Sequence, residues 1–431
     1  MTTESTTLRP LRYRVAGRLG ASVADQALAS VSNLAMSVVI ASQVSLSEFG
    51  AYGLVFATYL LIQGGARASI GEALLVKRSE APGLDARAVF GAGILVGLLG
   101  AAVSGLVAIV LDGSLQRAFA ALSVVILFAV TQDCVRYLGF AELRPMRAMI
   151  ADTIWCVVQF SGYAVLIATG AATLVSLMLV WGLGALCSLA YQVNCYRARP
   201  SFGDAASWIV ERRDLSPRFL MEYFTMAGVQ QGSIFILGIA AGLDQVGGYR
   251  AAQVILGPVN VIAFGAAVVV LPLAAQRAHA LRPDVMKFSL VVSLSLAAIT
   301  VTYVGMSLLV PDVLGELALG QSWSLGASLV VLVGATIAIN NLSYGATSMI
   351  RGMHQARASL LMRVAFAPIT ITAAALGAVH GGAKGMAGVL VATCALQCVG
   401  WWLLLNRLVH VRDRQAKMLD KPNADMVTEG C

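Results

Sequence analysis

Runs of about 20 apolar residues recur along the whole chain, separated only by short polar stretches, and each is long enough to cross a bilayer as a helix. A backbone inside hydrocarbon must satisfy its own hydrogen bonds, so such runs specify an all-α integral membrane protein. Twelve spans are predicted, at about 21–42, 51–75, 89–110, 118–139, 148–168 and 172–193, then 219–240, 249–272, 288–309, 327–345, 360–378 and 385–406. They use about 240 of the 431 residues, which leaves loops of roughly 5 to 25 residues and no room for a folded soluble domain. Composition agrees: 58% of residues are apolar and only 12% charged, a balance that excludes an ordinary soluble enzyme. Any function has to sit inside the membrane bundle.

The net charge of +8 could suggest nucleic acid, but its distribution points to a membrane instead. Basic residues concentrate before the first span (Arg9, Arg12, Arg14, Arg18), in every second loop and in the tail after 406. These segments hold 26 of the 30 Lys and Arg; Arg117, Arg250 and Lys384 fall on the other side, and Arg363 just inside the eleventh span. The positive-inside rule then puts both termini in the cytoplasm, requires an even number of spans and makes the cell membrane the expected location, with no nucleic-acid partner. The first 22 residues are polar and basic, and Asp25, Gln26, Ser30, Ser32 and Asn33 follow, so this stretch reads as the first span and not as a signal peptide.

The longest connection, 194–218, carries Pro200, Pro217 and five arginines and divides the spans six and six. The expected organisation is an N-terminal lobe at 1–193, a cytoplasmic linker at 194–218, a C-terminal lobe at 219–406 and a cytoplasmic tail at 407–431. Internal repetition supports it. Phe49-Gly50-Ala51-Tyr52 after the first span matches Val246-Gly247-Gly248-Tyr249 after the seventh. Amides inside spans repeat as well, with Asn33, Gln63 and Gln132 on helices 1, 2 and 4 and Gln230, Gln231, Gln253, Asn260, Asn340 and Asn341 on helices 7, 8 and 10. Such a pattern is expected where those helices line a wet central cavity. Small-residue pairs at i, i+4 (Gly93 and Gly97, Gly228 and Gly232, Gly238 and Gly242, Gly381 and Gly385) permit close helix contact, and Pro258 and Pro368 are expected to kink their helices.

No catalytic signature occurs. The four histidines are scattered over loops, Cys394 and Cys398 share a helix face with no histidine beside them, and no spacing suits a metal, so neither cofactor nor metal is expected. Ionisable residues inside spans are costly and therefore informative. Asp25 has no partner on its own helix and reads as a cation or proton site. Asp133, the second ion-coupling candidate, precedes Arg136 by three residues, so a helical ion pair is its alternative reading. Asp152 and Glu222 lie near span ends, where structural pairing or snorkelling accounts for them. Among the bases, Arg18, Arg67 (after Gly64-Gly65, a candidate helix break) and Arg250 could hold an anion in a partly dry cavity, and each could equally be a topology or helix-end charge. With the amides Asn33, Gln63, Gln231 and Asn260 they form the candidate substrate site.

The first outer turn SLSEFGAYGLVFA, the stretch GGYRAAQVILGPVNVIAFGAAVVVLPLAA at 247–275, and PDVLGELALGQSW at 311–323 resemble the Wzx-type polysaccharide exporters. Those belong to the multidrug/oligosaccharidyl-lipid/polysaccharide (MOP) flippase superfamily, which also holds the lipid II flippases and the multidrug and toxin extruders (MATE). The resemblance implies two pseudo-symmetric six-helix lobes around a V-shaped cavity that alternates between inward and outward openings. It also implies a polyprenyl-pyrophosphate oligosaccharide as cargo, held by arginines on helices 1, 2 and 8, where Arg18, Arg67 and Arg250 fall; Arg67 departs from the pattern by lying late in helix 2. Membrane lipids, and a polysaccharide polymerase or glycosyltransferases, are the expected partners. The other function classes are a cation-coupled drug antiporter of the same superfamily, which should carry more acidic cavity residues, a membrane enzyme of polysaccharide assembly, and a structural partner of a cell-wall complex. An enzyme would need a large outer loop with catalytic groups, whereas the longest, near 310–326, offers only Asp312 and Glu316.

Overall fold

The computed structural model describes residues 28–76, 83–278 and 280–419, and every regular element among them is helical. The first half holds α1 (Leu28–Gln43), α2 (Leu46–Val76), α3 (Leu84–Val110), α4 (Gly113–Ala141), α5 (Pro145–Ala168) and α6 (Leu174–Tyr196). A short α7 (Phe202–Glu211) precedes α8 (Ser216–Ala241), α9 (Leu243–Ile255), α10 (Gly257–Arg277) and α11 (Arg282–Ser307). Next come α12 (Asp312–Leu319), α13 (Trp323–Leu342), α14 (Tyr344–Gly352) and α15 (Ala356–Leu419). Among the described residues nine helical stretches are long and apolar enough to cross a membrane, and α1 is a shorter apolar helix.

Local chemistry explains the boundaries. Ser45 caps α2 reciprocally with Glu48, and Thr173 caps α6 with Ser176, which satisfies the first free amides of each helix. Proline opens α5, α8, α10 and α11 in the first turn, where its missing N–H costs nothing. Pro258 thus starts a new helix after Leu256 leaves helical geometry, so the expected eighth span is two helices and not one kinked helix. Pro368 sits within α15, whose break comes instead at Gly381 and Gly382, the latter with φ +57°. Gly64-Gly65 does not break α2. The helix widens into a π-helical segment at Arg67–Glu72, which re-aims the side chains that follow. Gly64 is small because the Tyr223 ring of α8 lies against it, with the Tyr223 hydroxyl donating to the Leu60 carbonyl at 2.6 Å.

Buried apolar side chains form one cluster drawn chiefly from residues 36–208 and two drawn chiefly from 234–409. The halves meet where α2 crosses α9. A Cβ on Gly50 would collide with the Leu243 carbonyl, and one on Gly247 with the Leu46 carbonyl, so each glycine of the repeated turn motif lets in the other's backbone. This reciprocal contact is what a two-fold relation produces. Gly320 approaches the Ala41 carbonyl, and Gln245 accepts from the Ala383 amide at 2.9 Å, at the same end of the bundle, which we call the turn end. Of the other small-residue pairs, Gly93 and Gly97 admit Thr131 and Leu127 of α4, and Gly385 admits Gly377, whereas Gly228, Gly232 and Gly381 have nothing within 4 Å.

The linker is not a loose tether. Trp208 donates to Asp85 Oδ1 at 2.9 Å, and Arg212, fully buried, stacks on the Trp208 ring at 4.0 Å and reaches Asp85 at 3.4 Å. Desolvation lowers the Arg212 pKa, opposed by the neighbouring carboxylates of Asp85 and Glu211. Arg87 pairs with Asp204 at 3.0 Å, so α7 is clamped to the start of α3.

Candidate functional site

In the first half a partly open polar cavity, with an internal volume of about 50 Å³, lies between α1, α2, α4, α5 and α6. Its wall carries an alternating chain of charge. Arg67 donates to both oxygens of Asp133, from Nε at 2.6 Å and Nη2 at 2.7 Å. Arg136 lies 3.4 Å from Asp133 and donates to Asp152 Oδ2 at 2.6 Å. Gln132 then donates to Asp152 Oδ1 and to the Ser188 hydroxyl, each at 3.0 Å, and Ser188 donates to the Ala151 carbonyl. Asp133 and Arg136 are 3% exposed, whereas 34% of the Arg67 side chain is accessible. Two guanidinium groups and two carboxylates cancel in charge, which is how such groups are tolerated in a low-dielectric interior. Aromatic rings close the cavity: Tyr59 meets Trp181 edge-on at 4.8 Å, and Trp155 lies 5.6 Å from Trp181. Beyond Tyr59 and Trp181 a small apolar cavity of about 10 Å³ continues, lined by Met36, Ile40, Tyr52, Phe56 and Met178 among others.

Arg250 occupies a different level. Its guanidinium lies 4.6 Å from the Phe56 ring centroid and donates to Gln253 at 3.2 Å and to Ser37 at 3.4 Å. Ser37 in turn is 3.2 Å from the Tyr52 hydroxyl. Among the described residues no carboxylate pairs with Arg250, and its Nε is buried with no hydrogen-bond partner. Phe56 precedes Arg67 by three turns of α2, about 16 Å along the axis. The two arginines proposed to share one anion therefore stand at separate depths, farther apart than a diphosphate reaches.

The remaining candidates divide. Arg18 and Asp25 lie outside the described residues. Asn33 and Asn260 are exposed, while Gln63 and Gln231 are buried at 6% and 7%; Asn33 and Gln63 line the polar cavity with Arg67 and Asp133. Asp133 makes the expected contact with Arg136, but its shorter partner comes from α2. The expected six-helix rhythm of amides is not kept, because Gln159 of α5 and Gln192 of α6 are also buried. Asn341 donates to Thr300 at 2.8 Å and so ties α13 to α11. Sequence reasoning missed Trp155, Gln159 and Trp181 as cavity residues. Gln159, an amide within a predicted span, was the available signal; the tryptophans look like any apolar residue until the fold turns them inward. Among the described residues no group of His, Cys, Asp and Glu could hold a metal ion.

No protein-family model matches the chain, and no curated protein matches it in sequence. Solved structures do. A multidrug resistance MATE family transporter of the MOP superfamily in its inward-facing conformation superposes with TM-score 0.65 at 15% identity, covering 90% of this chain and 96% of that one. The outward-facing conformation of such a transporter gives 0.59 at 14% identity, over 93% and 96%. A MOP superfamily transporter from Pyrococcus furiosus, described as having a binding pocket of reverse polarity, gives 0.51 at 12% identity, over 91% and 95%. Over about nine-tenths of its length, this chain has the fold of the MATE transporters of the MOP superfamily.

Proposed function

We propose that the protein is a transporter that flips a lipid-linked, pyrophosphate-bearing oligosaccharide across the cytoplasmic membrane by alternating access, for cell-surface polysaccharide biosynthesis. In this reading it spans the membrane twelve times as two six-helix lobes with both termini cytoplasmic, and it works beside a polysaccharide polymerase or glycosyltransferases. The observation that carries the choice of cargo is Arg250. A half-buried guanidinium that, among the described residues, meets only the neutral Gln253 and Ser37 and keeps its Nε unpartnered is a standing site for an anion. The contact at Gly50 and Gly247 closes the turn end beside it, so rocking of the halves about this crossing would alternately expose Arg250 and Arg67. A second reading, a cation-coupled drug antiporter, is favoured by the buried carboxylates Asp133 and Asp152 and by the aromatic rings of Tyr59, Trp155 and Trp181 beside them.

Vesicles of controlled ion gradient separate the two. Reconstituted protein should flip a fluorescent lipid-linked oligosaccharide and should not extrude ethidium. Arg250→Ala should abolish flipping in folded protein, and Arg250→Lys should restore only part of it for want of the planar fork. Ethidium extrusion with no flipping would install the second reading. Reactivity of a single cysteine at Asp204 from outside intact cells would reverse the proposed orientation.

A further inference from the structure

Arg67 faces the polar cavity, yet it is already held by both oxygens of Asp133. That pairing occupies the side-on fork of Nε and Nη2 and leaves only Nη1 and the second Nη2 proton to cargo, so a ligand gains the full fork only when the carboxylate lets go. We infer that Asp133 is a specificity-determining residue: it serves as the resident counter-anion of Arg67, and only a headgroup of higher charge than a carboxylate, such as a diphosphate, displaces it. This rests on the proposed reading that the cargo carries a diphosphate.

Three features support a displaceable pair over a fixed brace. The partners are unequal in access, with 34% of the Arg67 side chain exposed against 3% of Asp133, so the arginine has room to swing while the aspartate stays. Release would not strand a buried carboxylate, because Arg136 already stands 3.4 Å from the same oxygen of Asp133 that the Arg67 Nη2 engages. The swing also starts at the first residue of the π-helical segment, where the α-helical ladder of α2 is interrupted. An internal carboxylate competes at the high effective concentration set by the fold. A free monocarboxylate therefore gains nothing by replacing it, whereas a diphosphate brings more negative charge and more acceptor oxygens to the same fork. Among the described residues Arg250 has no such guard, so the two arginine levels differ in selectivity: Arg67 filters and Arg250 receives.

The test is calorimetric titration of inorganic pyrophosphate, with acetate as the monocarboxylate, into purified full-length protein in detergent. Wild type should bind pyrophosphate and ignore acetate. Asp133→Asn should tighten pyrophosphate binding about tenfold and admit acetate, and Arg67→Ala in the Asp133→Asn background should remove the gain. Asp133→Glu, which keeps the charge but shifts it by one methylene, should tighten binding by a smaller factor, and it decides the matter if the asparagine variant does not fold. Unchanged or weaker pyrophosphate binding in the folded Asp133 variants would overturn the inference and make the pair a brace. If the gain appears while vesicles show no flipping of lipid-linked sugar, the filter stands and the proposed cargo falls.

Discussion

The two halves share a plan but not an interior. In the first, a continuous chain of charge runs from the half-exposed Arg67 through the buried Asp133, Arg136 and Asp152 and joins α2, α4 and α5. In the second, cross-helix ties among the described residues are mostly neutral, such as Asn341 to Thr300 and the Gly345 amide to the Ser293 hydroxyl. The pair Glu222 and Arg351 is separated by 3.8 Å and is 53% and 40% exposed. Buried ions cost desolvation and stabilise little over well-packed apolar groups, so their linked arrangement in the first half, set against the neutral ties of the second among the described residues, is consistent with a task located there. The Gly50–Gly247 crossing holds the halves together, and the difference between their interiors singles out the candidate site.

The sharpest way to break this comparison is to cut the chain of charge. Arg136→Ala should cost about 3–5 kcal/mol by leaving Asp152 buried without its cationic partner, while Asn341→Ala in the second half should cost about 1 kcal/mol. Reversible unfolding in bicelles checks both, and equal losses would end the claim that the halves differ. The crossing of the halves comes next. Gly50→Ala and Gly247→Ala should each destabilise by about 1–3 kcal/mol, and by similar amounts because their contacts are reciprocal, whereas Gly228→Ala and Gly232→Ala should be tolerated in open surroundings.

Access sharpens the comparison further. In a background without native cysteines, Cys at Asn33 or Asn260 should react with a small aqueous thiol reagent several-fold faster than Cys at Gln63 or Gln231, which are buried in this conformation. Cys at Leu99, exposed at 65% where lipid is expected, should not react from water. Fast reaction at all five would show a loosely packed bundle. The smallest effect is expected at the surface pair: Glu222→Gln should change stability by less than about 0.5 kcal/mol, since an exposed pair at 3.8 Å is screened by solvent.

By itself the sequence determined the class of the protein, because backbone hydrogen bonds inside hydrocarbon leave apolar runs no alternative to helices. It also showed Gly50 and Gly247 recurring at matched places; only the structure puts both in the first turns of α2 and α9, where the absence of a Cβ lets the two backbones meet. Asp133 and Arg136 were legible as a pair because three residues on a helix set their distance. What joins Arg67 to Asp133 was not. That contact links two helices through the widening of α2 at Arg67–Glu72 and the packing of Tyr137 on Gly71, and no spacing along one helix encodes it. The same holds for the separation of Arg67 from Arg250, which residue type alone would assign to one ligand. Their helices are paired by tertiary packing, and that packing decided that the two arginines stand three turns apart.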